Sequence, residues 1–69
     1  MTEYAKLVLA EQKCHTIEIR EKATGKEGVA NSCAEGVELF YSADEGSDDK
    51  VVSDEEFNRD FEITAMIQG

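Results

Sequence analysis

Apolar residues in this chain fall into short runs separated by polar turns, and their spacing predicts most of its elements. From Tyr4 to Ala10 the chain reads YAKLVLA. As a strand, this run places Ala5, Leu7 and Leu9 on one wholly apolar face, which should meet the core. A helix is the rival reading, but the run is short and no N-cap signal is evident ahead of it. His15 to Arg20 (HTIEIR) alternates more clearly, with Ile17 and Ile19 between polar neighbours. Glu27 to Ser32 (EGVANS) reads as its return strand, because Thr24-Gly25 lies between them and glycine supplies the positive φ of a tight hairpin loop. If Lys22 faces Lys26, then Ile19 lies opposite Val29 and His15 opposite Cys33.

Val37 to Ser42 (VELFYS) is the next strand, with Val37, Leu39 and Tyr41 on one face and Phe40 on the other. An apolar residue on that second face suggests cover by a helix or a partner. Asp44 to Lys50 contains no apolar residue and reads as a loop. Ser53-Asp-Glu-Glu56 then matches a capping box, and its acids suit the positive end of a helix dipole. A short helix over Asp54–Asp60 follows, with Phe57 and Phe61 four apart. Ile63, Ala65 and Ile67 alternate with Thr64 and Met66, which favours a final strand over a longer helix. The sum is one small acidic domain, residues 1–69. Its class is α+β: four to five mainly antiparallel strands with one short helix before the last strand.

Charge is concentrated in one stretch of the chain. Between Asp44 and Glu62 nine of nineteen residues are acidic and only Lys50 and Arg59 oppose them, a net −7 out of −9 for the chain. A pI near 4.3 argues against direct nucleic-acid binding, which needs Lys and Arg on phosphates, and against an anionic membrane surface. No run approaches a transmembrane length. Glu3 and Lys6 fall where a signal peptide would need apolar residues, so an intracellular, cytoplasmic protein is expected. In that setting Cys14 and Cys33 stay reduced. They form no CxxC pair, and His15 alone does not complete a four-ligand metal site.

The acidic stretch admits three chemistries. Calcium fits poorly: a loop starting at Asp44 puts Gly46 third and Asp49 sixth, where an EF-hand needs a ligand and a glycine. Enzymatic readings lack a base with an orienting partner, so neither catalysis nor a cofactor is expected. The third is protein recognition. Asp44, Glu45, Asp48, Asp49, Asp54, Glu55 and Glu56 form a candidate partner-binding set. Such a set suits a protein with a basic surface, including one that otherwise holds nucleic acid, as phage-type inhibitors that imitate nucleic-acid charge do. Phe57 or Tyr41 would supply the apolar anchor. The plainer account is that acidic loops are ordinary solvated surface. The alternative function is a structural or assembly subunit, a homodimer for example, joined through strand edges and apolar surface.

Overall fold

A computed structural model describes residues 1–41 and 49–68. Among them the chain forms two helices and a five-stranded antiparallel sheet. In chain order these are α1 (Glu3–Glu11), β1 (Thr16–Glu21), β2 (Glu27–Cys33), β3 (Gly36–Tyr41), β4 (Lys50–Val52), α2 (Asp54–Asp60) and β5 (Phe61–Ile67). The sheet order is β4-β3-β2-β1-β5, so four strands meander and the last returns beside the first. The small α+β class and the helix just before the final strand are as the pattern predicted.

The first element is a helix, not the expected strand. Thr2 caps it, its hydroxyl accepting from the Ala5 N–H at 3.1 Å. The stripe that reaches the core is Tyr4, Leu7 and Ala10, at helical spacing, with Cys14 packing just beyond the helix end. Leu7 is fully buried whereas Leu9 is half exposed. Two-residue alternation had put both on one face; a helix turns them about 200° apart. The fifth strand is instead β4, whose three residues carry only Val51 and Val52 as a signal. Lys50 therefore starts a strand and does not end a loop.

The β1–β2 hairpin forms with a register one residue away from expectation. Glu18 lies opposite Val29 and Ile19 opposite Gly28. Lys22 does not face Lys26, because Glu21 does: its N–H reaches the Lys26 carbonyl at 2.8 Å, and the Gly25 N–H returns to the Glu21 carbonyl. Gly25 has the predicted positive φ, 77°. A one-residue slip moves a whole strand to the other face. Ala30 is therefore buried beneath the helices, while Val29 joins Glu18 on the opposite face. His15 precedes β1 and is not paired with Cys33, and both cysteines are free thiols.

One core lies between the helices and the sheet. Leu7, Ala10 and Phe57 come from the helices, and Ile17, Ile19, Ala30, Val37, Leu39, Val52 and Phe61 from the strands. Phe57 and Phe61 stack with centroids 5.7 Å apart, although Phe61 opens β5 and does not continue α2. Gly36 has φ 138°, and a Cβ there would stand 2.3 Å from the Val52 carbonyl oxygen, so β3 starts hard against the end of β4. The two ends of the chain are stitched together. The Asn58 side chain accepts from the Tyr4 N–H at 2.7 Å, and Glu3 accepts from the Ile63 N–H at 2.9 Å. The sheet's second face carries Glu18, Arg20, Val29, Asn31, Glu38 and Phe40, all half-buried or exposed.

Candidate functional site

The structure places part of the predicted acidic set. Asp44, Glu45 and Asp48 lie outside the described residues. Asp49 sits just before β4 and is exposed. Asp54 and Glu55 are exposed in the first turn of α2, and Glu56 is half-buried there. β4 is only three residues long and passes directly into the capped helix, so Asp49 precedes the strand and the other three open the helix that follows it. Ser53 accepts from the Glu56 N–H at 3.1 Å, so the predicted N-cap is present. Asp54, Glu55 and Glu56 therefore also face the positive end of their own helix dipole.

The neighbouring cations are engaged elsewhere. Arg59 donates from Nε and Nη2 to both carboxylate oxygens of Asp60, each at 3.0 Å. That pairing holds Asp60 below and Arg59 above their ordinary pKa values, and the charges of Glu56 and Glu55 raise Arg59 further. Lys50 turns its ammonium toward two rings, 6.0 Å from the centroid of Tyr41 and 5.7 Å from that of Phe61. Burial raises the Tyr41 pKa, with Lys50 acting against the rise. Among the described residues no ion pair involves Asp49, Asp54 or Glu55; the three ion pairs are Lys6–Glu3, Arg20–Glu62 and Arg59–Asp60.

Phe57 is not the expected apolar anchor. Phe57 has no exposed surface and belongs to the core, so it cannot enter a partner. Tyr41 remains half-exposed beside Lys50. A part missed by sequence reasoning lies beside the junction of α1 and β1, where Glu11, Cys14 and His15 line a cleft of about 420 Å³ with Asn31. The Glu11 carboxylate is already committed there, accepting from the Ser32 N–H at 2.6 Å and its hydroxyl at 2.8 Å. It thus occupies the place where β2 parts from β1. Only the register, which the sequence did not resolve, would have shown this. Among the described residues no three His, Cys, Asp or Glu side chains converge as a metal site. No described helix is long and apolar enough to cross a membrane.

Comparison with family models, curated proteins and solved structures finds no match to this chain.

Proposed function

We propose that this protein is an acidic binding module that engages a basic surface on a partner protein. The observation that carries the reading is the exposed rim of Asp49, Asp54 and Glu55, none of them in an ion pair among the described residues, while Arg59 is paired with Asp60 and Lys50 lies over aromatic rings. Glu56 flanks the rim, and Asp44, Glu45 and Asp48 adjoin it in sequence. Exposed charge of one sign steers encounter with the opposite sign and sets salt dependence. The sharper form of the reading is a phage-type inhibitor that occupies a nucleic-acid site by presenting carboxylates where phosphates would lie. Two free thiols accord with a cytoplasmic setting.

The test is capture of partners from host cells by the immobilised protein, beside a variant carrying Asp49→Asn, Asp54→Asn and Glu55→Gln. The expected partner is basic, is released steeply by salt and is displaced by nucleic acid. Undiminished capture by the variant sinks the reading. A second reading, an assembly subunit, is favoured by a different observation: large apolar side chains exposed at a sheet edge.

A further inference from the structure

Five large apolar side chains are exposed among the described residues, and three of them, Met1, Leu9 and Met66, share one groove while Ile67 follows Met66 on the same strand. In that order these four are 82, 49, 48 and 46% exposed; the fifth, Val51, stands on β4 at the opposite edge of the sheet. Met1, Leu9 and Met66 line a single groove of about 630 Å³ between α1 and the end of β5. Among the described strands β5 is itself an edge, paired only with β1. The free side of its first half is closed, because Glu3 takes the Ile63 N–H. Among the described residues no side chain takes a backbone group of its second half. The Ile67 carbonyl accepts from the His15 N–H at 2.9 Å and so faces β1. By the alternation of a strand, the N–H and C=O of Met66 face the free edge.

We propose that this edge is the interface with a second copy of the chain. In this arrangement β5 pairs antiparallel with the same strand of the partner about a twofold axis near Met66. The two sheets become one, and α1 comes alongside its own counterpart, which covers Leu9 and Met1. The proposal deepens the assembly reading and is independent of the acidic rim, which lies beside β4.

Charge selects a second copy as the occupant. A surface that meets its own image must tolerate like charges face to face, and directly opposed like charges destabilise a strand pair. The stretch from Asp44 to Glu62, with −7 of the chain's net −9, fails that condition. Ile63 to Gln68 carries no charge at all. A self-pairing strand also continues both layers at once, and a twofold contact is the commonest way for identical chains to associate. Other exposed edges are blunted by charge or brevity. Here β4 has three residues including Lys50, next to Asp49 and Asp54.

The test is sedimentation velocity of the full chain over a range of concentrations at low and high salt. The expected result is a concentration-dependent dimer that holds or tightens as salt screens the repulsion between two acidic chains. Met66→Lys should weaken it about tenfold or more, and Val51→Lys should leave it unchanged. Hydrogen exchange of the Met66 amide in the unaltered protein gives a readout that needs no variant, with protection rising as the dimer forms. A monomer at every concentration and salt overturns the proposal. So does a dimer that Met66→Lys leaves intact, or a Met66 amide whose exchange ignores concentration. A dimer lost only in Val51→Lys would overturn this interface while leaving an assembly role standing at the β4 edge.

Discussion

Phe57→Ala should come close to unfolding this protein. A domain of 69 residues at roughly 0.05–0.15 kcal/mol per residue holds about 3–10 kcal/mol in total. Phe57 is fully buried, and removing a buried phenylalanine to the β-carbon costs about 3–5 kcal/mol. Its stack on Phe61 adds about 0.5–1.5 kcal/mol beyond area alone. The seven residues of α2 are too few to stay helical unaided, so the ring is also what fastens that helix to the sheet. The loss is thus a third of the stability at the least, and all of it at the most. Urea denaturation followed by far-ultraviolet circular dichroism measures it, with Phe57→Leu as a companion that keeps most of the volume and should lose about 1.5 kcal/mol or less beyond the stack. A Phe57→Ala protein that loses under about 1 kcal/mol, with an unchanged denaturant slope, would refute the placement of this ring at the centre of the core.

Three further outcomes follow from the same geometry. Burial opposes ionisation of Glu3, but the Ile63 N–H and the Lys6 ammonium outweigh it and hold the pKa below the ordinary value of 4.5. A depressed folded pKa gives stability that is full above the unfolded value and is lost as pH falls through the folded one. Glu3→Gln should therefore flatten the acid limb of a stability–pH profile below 4.5, and an unaltered limb counts against the Glu3–Ile63 bond. Gly36→Ala forces a side chain to φ 138° and against the Val52 carbonyl; the backbone strain alone is of order 1–3 kcal/mol, read as a lowered urea midpoint. Ser53→Ala removes the cap of α2 at about 1 kcal/mol, or roughly 4–8 °C in melting temperature, and a melting point that does not move would show the cap to be idle.

Where one local signal sufficed, the sequence was legible. The Ser53 cap, the Phe57–Phe61 spacing and the alternation through Ile67 placed α2 and β5, and Gly25 placed the hairpin turn. Other features depended on facts that are not local. Seven residues with Leu7, Val8 and Leu9 in succession satisfy both periods, and only burial separates Leu7 from Leu9. Gly25 announces a turn but not the number of residues in it, so the strand face of Val29 came out reversed. For the candidate site, the charges of Asp49, Asp54 and Glu55 are plain in the sequence. The commitment of Arg59 to Asp60, the turn of Lys50 toward two rings and the burial of Phe57 are tertiary outcomes. They decide which carboxylates stay unneutralised and which aromatic ring is within a partner's reach.

The placement of β5 beside β1 also governs when the protein can take shape. Ile19 is paired with Gly28, nine residues on, and with Ile63, forty-four residues on. The first contact closes a short loop, while the second spans most of the chain and costs more chain entropy. As the polypeptide leaves the ribosome, β1 through β4 can meander together, yet one side of β1 stays bare and Phe57 and Phe61 have not joined the core. Vectorial synthesis therefore leaves the Phe57–Phe61 part of the core open until β5 emerges.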